Sequence, residues 1–391
     1  LQKVYLIIIY NLCINYKMAS NYTYHRILPQ NAKAGYTEFD VVDFQMSFPA
    51  RSLLLGTVRL EGSVDVTVDS LTLDNGANAS KNVVFDCDVG GHTFIENITT
   101  NIGGSVVESL GDYARYVKMS AVAMTSIDDN SNSSAVCELK ACSDQQTNDI
   151  LKGEFPPVDP DAGTAIRVSP DFSIKPRICL NGGVGTLAHR RSGDITLSIN
   201  LARNYSALFG ADVGATTQYT LKDLRLTFNS VPDDMKNVPV SMRTKINIKQ
   251  SIQSSQANVN VRVPAVCDSV SCSFQVQAFE NTPGNDNHIL HQVPLLSATQ
   301  FIFNDSTNSL VSYQIRNNAE LIDRAIASFV DADKNTLGTT RLANGNGFMI
   351  GLNFDEVIDL SNQKFSIELN SDVSNLIPLV MYMYFHSFIK L

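Results

Sequence analysis

Gly193-Asp194-Ile195-Thr196-Leu197-Ser198-Ile199-Asn200-Leu201-Ala202-Arg203-Asn204, followed after a Gly-containing connection by Tyr219-Thr220-Leu221-Lys222-Asp223-Leu224-Arg225-Leu226-Thr227-Phe228-Asn229, decides the fold class. Ile195, Leu197, Ile199 and Leu201 fall on every second position, with Thr196, Ser198 and Asn200 between them. Side chains alternate faces along a strand, so this run reads as a strand with one buried face. Leu224, Leu226 and Phe228 alternate with Arg225, Thr227 and Asn229 in the same way. Tyr219 and Leu221 have the opposite parity, which predicts a bulge near Lys222-Asp223. Ser230-Val231-Pro232-Asp233-Asp234 then breaks the pattern.

The C-terminus is built alike. Phe365, Ile367 and Leu369 alternate with polar residues, a polar connection ends at Pro378, and a last strand runs from Val380 to Ile389. Its apolar residues occupy both parities, so both of its faces are expected to be covered, by the core and by a neighbouring element or subunit. The repetition is one of architecture, with little identity, and predicts an all-β unit used twice. Working upstream, Phe44, Met46 and Phe48, then Val64, Val66 and Val68, alternate as strands, and Asp74-Asn75-Gly76 marks a turn. Val83 to Cys87 and His92 to Ile98 flank Gly90-Gly91 as a predicted hairpin. Ser105-Val106-Val107-Glu108 has the form of a capping box, and Val106, Val107, Leu110, Ala114, Val117 and Ala121 keep helical spacing, predicting a helix over 105–123. Asn317-Asn318-Ala319-Glu320, with Ile322, Ala325, Ile326 and Phe329, predicts a second over 318–329. Residues 18–38 show no period and read as an extended arm. The polar run 125–163 reads as a long loop, either a functional surface loop or a disordered connection. Strand character returns over 165–174 and 178–180. The expected units are 39–234 and 235–391, each of many short strands with one helix inserted, as in sandwiches or barrels.

The 391 residues are 44% hydrophobic and 18% charged, with a net charge of −9. That is enough chain for two cores, and the negative balance argues against general binding to a phosphate backbone. The clusters His189-Arg190-Arg191 and Arg243, Lys245, Lys249 read as solvated faces. Met18-Ala19-Ser20 resembles a natural start, so residues 1–17 read as translated upstream sequence, with a cleaved leader as the second reading. No stretch approaches the roughly 20 apolar residues of a spanning helix. The seven cysteines are scattered; Cys137/Cys142 and Cys267/Cys272 have a loose metal-ligand spacing without a histidine beside them, and read as free thiols.

Catalytic patterns fail on inspection. Gly183-Val184-Gly185-Thr186-Leu187-Ala188 has the form of a dinucleotide fingerprint, but His189-Arg190-Arg191-Ser192-Gly193 and a strand follow where a long helix is needed. Asp331-Ala332-Asp333-Lys334-Asn335 opens like a calcium loop, yet Thr336 and Leu342 stand where Gly and Glu belong. His288 and His291 sit at a loop-to-strand boundary, where a solvated role is expected. Asp233-Asp234 and Asp128-Asp129 read as solvated turns. No catalytic, cofactor-binding or metal-ligating residue is assigned, and no enzyme activity is expected.

Phe48-Pro49-Ala50-Arg51-Ser52-Leu53-Leu54-Leu55-Gly56, Asp112-Tyr113-Ala114-Arg115-Tyr116, the Gly193–Leu201 run, the Tyr219–Asn229 strand and Tyr382-Met383-Tyr384-Phe385-His386 occur in an order that carries a resemblance. Over residues 39–391 the chain resembles the double jelly-roll major capsid proteins of tailless icosahedral double-stranded DNA viruses, of the virophage and polinton-like virus type. The resemblance implies an all-β fold of two tandem eight-stranded jelly-roll β-sandwiches, each with an inserted short helix. It further implies a homotrimer forming a pseudo-hexagonal capsomer, with neighbouring capsomers, penton and minor capsid proteins as partners. The implied location is the virion, after synthesis in the host cytoplasm or nucleus. An alternative from another class is a secreted or surface carbohydrate-binding or adhesive protein of two β-sandwich domains. The absence of Trp counts against it, since sugar sites often use that flat apolar ring.

Overall fold

The computed structural model describes residues 22–73, 80–124, 137–140, 151, 171–234, 239–254, 256–280, 282–291, 300–305, 312–315, 318–329, 347–361, 365–370 and 378–391. The first half forms β1 (Thr23–Ile27), β2 (Val41–Met46), β3 (Arg51–Leu54), β4 (Arg59–Val68), β5 (Leu71–Thr72), β6 (Ile95–Ile102) and β7 (Ser105–Leu110). Helix α1 (Tyr113–Met124) follows, then β8 (Asp171–Ile174), β9 (Thr186–Ala188), β10 (Ile195–Leu201) and β11 (Gln218–Pro232). The second half forms β12 (Ser241–Ile252), β13 (Gln256–Val261), β14 (Val266–Val276), β15 (Gln300–Asp305) and β16 (Ser312–Ile315). Helix α2 (Asn318–Ala327) leads to β17 (Met349–Asp359), β18 (Phe365–Asn370) and β19 (Leu379–Lys390).

The pairing order identifies the architecture. With the short β3, β5 and β9 set aside, eight strands of the first half fall in the order 1-8-3-6 (β1, β11, β4, β8) and 2-7-4-5 (β2, β10, β6, β7). The second half repeats both orders, as β12, β19, β14, β17 and β13, β18, β15, β16. Strand 1 thus pairs with 8, 2 with 7, 3 with 6 and 4 with 5, which is what results when one long hairpin is rolled up into two sheets. In both halves the helix is inserted between the fifth and sixth strands. These are two jelly rolls in tandem.

Alternation puts the core where the sequence places it. Val64, Val66 and Val68 of β4 are buried while Ser63, Asp65 and Thr67 are half-buried, and Ile195, Leu197, Ile199 and Leu201 of β10 are buried in the same cluster. The predicted irregularity in β11 exists: its register against β4 shifts between Lys222 and Arg225, and Asp223 has φ 51°. Gly62 accommodates it, because a Cβ there would meet Lys222 O at 2.9 Å and Leu224 at 2.8 Å.

Several expectations are corrected. Residues 18–38 contain a strand rather than only an arm: β1 pairs antiparallel with β11 from Thr23↔Ser230 to Ile27↔Leu226. It lies at a sheet edge with Tyr24 exposed, so it carries no apolar alternation to announce it. Ser105–Leu110 is β7 and not the first turn of a helix; α1 starts at Tyr113. Gly103 and Gly104, at φ 59° and 82°, turn β6 into β7, the two-residue connection that suits a twisted hairpin. The hairpin expected around Gly90-Gly91 is absent. Gly90–Phe94 is a 3-10 turn, and Val84 makes only an isolated bridge to Phe209. Cys179–Gly182 is a helical turn where a strand was expected. The calcium-like run 331–336, most of the 125–163 loop and the Asp74-Asn75-Gly76 turn lie outside the described residues.

Candidate functional site at the seam between the jelly rolls

The two jelly rolls share a sheet. β7 of the first meets β12 of the second in a parallel bridge at Ser109↔Ile246, so eight strands run continuously from β2 to β17. The two-faced last strand then closes the joint. Val380, Tyr382 and Tyr384 pack into the first core, and Leu379, Met381, Met383 and Phe385 into the second. Both faces of β19 are therefore covered within this chain, each by a different jelly roll.

Charged groups from α1 and β7 cross the seam. Arg115 is 3% exposed; its guanidinium donates to Ile289 O at 3.1 Å, Gln275 Oε1 at 2.5 Å and Asn287 O at 2.5 Å, and lies 4.2 Å from the Tyr382 ring centroid. The fork of N–H donors and the flat cation suit this combination of carbonyl oxygens and ring face. Glu108 points inward from β7, where its carboxylate accepts the Cys179 N–H at 2.7 Å and the Lys245 N–H at 3.1 Å. The Lys245 ammonium stands 3.5 Å away. Burial opposes the charge on Lys245, but Glu108, together with Tyr116 and Cys179, outweighs burial and raises its pKa above the ordinary lysine value. The Tyr384 hydroxyl donates to Asp112 O at 2.9 Å, and Asn247 Nδ2 to Asp112 Oδ2 at 3.2 Å.

A second group lies one turn along α1. Lys118 contacts both oxygens of Asp86 at 2.9 and 2.8 Å and Asp88 at 2.7 Å. Burial would discharge this lysine; the two carboxylates hold its pKa above the usual value instead. Asp286, from the second jelly roll, joins them. Desolvation and the neighbouring Asp86 carboxylate push its pKa well above the ordinary carboxylate range. Ligand atoms of Asp86, Cys87 and Asp88 lie within 4.8 Å of one another, a spacing that a metal ion could span. Lys118 already supplies the positive charge there.

Histidines brace the same region from inside. The Tyr113 hydroxyl accepts the Arg177 N–H at 2.9 Å and stands 2.8 Å from His92 Nδ1. Burial lowers the pKa of His92 to about 4 despite Glu138 at 3.6 Å. His288 is buried, against the solvated role expected of it, and burial lowers its pKa to about 4. Lys245, expected on a solvated face, is likewise buried, whereas Arg243 is half-buried and Lys249 exposed. The rejected dinucleotide fingerprint is β9 followed by one helical turn, His189–Ser192, and then β10. Sequence reasoning missed Glu108, Lys118, Asp86 and Asp286 as seam residues. Single charges within an amphipathic run carry no local mark of the partner they meet.

No protein-family model and no curated protein matches the sequence. Solved structures do match. A chain of the PBCV-1 virus capsid aligns over 95% of this chain and 94% of its own, with TM-score 0.59 and 9% identity. The Faustovirus major capsid protein aligns over 95% and 90%, with TM-score 0.58 and 9% identity. A chain of the Sputnik virophage aligns over 95% and 86%, with TM-score 0.56 and 10% identity. What survives at such low identity is the path of the chain, end to end. The protein therefore has the double jelly-roll fold found in the major capsid proteins of these viruses.

Proposed function

We propose that this chain is the major capsid protein of a tailless icosahedral double-stranded DNA virus, a structural subunit and not an enzyme. Three copies form a near-hexagonal capsomer that meets neighbouring capsomers, penton and minor capsid proteins in the virion. The observation that carries this reading is the repetition of one eight-strand order in two jelly rolls fused through a common sheet. Two near-equivalent units per chain let three-fold symmetry generate an almost six-fold tile. The end-to-end match to viral capsid subunits supports it.

The surface supports self-association as well. At the edge strands β1 and β2 and their flanks, Tyr22, Tyr24, Leu28, Phe39 and Val41 are all exposed, and unpaired strand edges with apolar side chains are sites that proteins cover by assembly. Light scattering of the purified chain is expected to give three times the 42.8 kDa chain mass, and larger particles under assembly conditions. A strictly monomeric protein that binds glycans on an array would replace this reading with the carbohydrate-binding one.

A further inference from the structure

Beside the seam lies a cavity of about 140 Å³ whose cationic lining comes from both jelly rolls, Lys175 and Arg177 from the first and Arg243 and Lys245 from the second, with the neutral His386 ring beside them. Its floor is buried, formed by Tyr116, Phe329, His386 and Lys245, while Lys175, Arg177 and Arg243 make a half-buried rim. No carboxylate lines it among the described residues. Lys175 and Arg177 are two apart after β8, and Arg243 and Lys245 two apart on β12, so each extended segment presents both cations on one side.

The charges inside are only partly balanced by the protein. Arg243 is bonded to Asp268 at 2.6 Å and Lys245 lies 3.5 Å from Glu108. Lys175 and Arg177 have no ion-pair partner among the described residues, and Lys245 donates to the Arg177 carbonyl at 3.2 Å, which draws the two strings of cations together. Burial first, then Arg177 and Arg59, lower the pKa of Lys175, and Glu138 offsets them only in part. On a chain of net charge −9 this concentration is a local arrangement rather than a consequence of overall basicity. The His386 ring is fixed by a 3.1 Å hydrogen bond between Nε2 and Ser271 Oγ.

We propose that this cavity binds a phosphate-sized oxyanion, held by Lys175 and Arg177 from one side and by Arg243 and Lys245 from the other. Guanidinium and ammonium groups converging on one small volume are the donor set that phosphate oxygens take. A volume of about 140 Å³ admits a phosphate-sized anion. Because the lining comes from both halves, the anion would act as a tie across the seam and stabilise the folded chain by mass action. The proposal stands apart from the capsid reading, since oligomer size does not bear on it.

Thermal unfolding and calorimetry of the full chain, in inorganic phosphate against sodium chloride at matched ionic strength, provide the test. Phosphate is expected to raise Tm saturably beyond chloride. Lys175→Gln and Arg177→Gln are each expected to weaken phosphate binding roughly tenfold, while the remote Lys222→Gln leaves it unchanged. Neither variant removes an ion pair, so without phosphate both should be at least as stable as the parent, an outcome that a merely structural role for these side chains would not give. Binding of inorganic phosphate alone assigns the site to the free ion; equal binding of glycerol phosphate assigns it to a phosphate ester head. A Tm response no greater than that to chloride, or variants that bind phosphate as the parent does, would overturn the proposal.

Discussion

A guanidinium that reaches three oxygens of the second jelly roll from a helix of the first joins the two halves through one side chain. Arg115→Met would keep much of the stem's packing but leave Ile289 O, Gln275 Oε1 and Asn287 O without their buried donor. The expected loss is on the order of 3 kcal/mol in a urea unfolding curve, and Arg115→Lys should recover only part of it. Asp286 gives a residue with a pH signature. Desolvation and Asp86 raise its pKa in the folded chain, so its contribution is complete below the ordinary carboxylate value and declines as pH climbs through the folded one. Asp286→Asn is expected to remove that decline, making the variant the more stable protein on the alkaline side. Denaturation midpoints taken from about pH 5 to about pH 8 would show parallel curves if Asp286 plays no part.

At the scale of elements, the turns hold the testable information. Gly104 has φ 82° and an added Cβ would meet nothing within 4 Å, so Gly104→Ala faces backbone strain alone, about 1 kcal/mol. Gly90 has φ 61° and its Cβ would lie 2.4 Å from Glu138 O, so Gly90→Ala carries strain plus a backbone collision and should lose about 2–4 kcal/mol. Equal melting temperatures for the two variants would contradict the packing of residues 137–140 against that turn. The same elements explain how far the sequence can be read. β4, β10 and β18 alternate cleanly because one face is buried deeper than the other, and the doubling is visible in their order. β7 imitates a helix start because Ser105 and Glu108 satisfy a capping rule, and only the Gly103-Gly104 turn before it makes it the second arm of a hairpin. β1 leaves no trace in the sequence because the partner that defines it, β11, lies about two hundred residues away, a separation beyond any local pattern. The seam is illegible for the same reason: Glu108 and Lys245, or Arg115 and Asn287, become neighbours only after both jelly rolls have closed.

For the whole molecule, acid is the expected weak point. Burial lowers the pKa of His92 and His288 to about 4 and of His386 to about 3, all three inside the protein. A lowered histidine contributes fully above its unfolded value of 6.5 and loses that contribution as pH falls toward the folded value. Each residue accounts for on the order of 3–5 kcal/mol, so stability should fall steeply between about pH 6 and about pH 4. Chemical denaturation across that range, repeated with His386→Gln, would show a shallower slope in the variant; an unchanged slope would remove His386 from the account. Unfolding should also be a single event, because β19 lends one face to each core and neither can melt while the other keeps it. That shared strand ties the two jelly rolls to each other. In a closed shell built from such blocks, every degree of bending has to be found at the borders where blocks touch, and the block itself stays the same at every position.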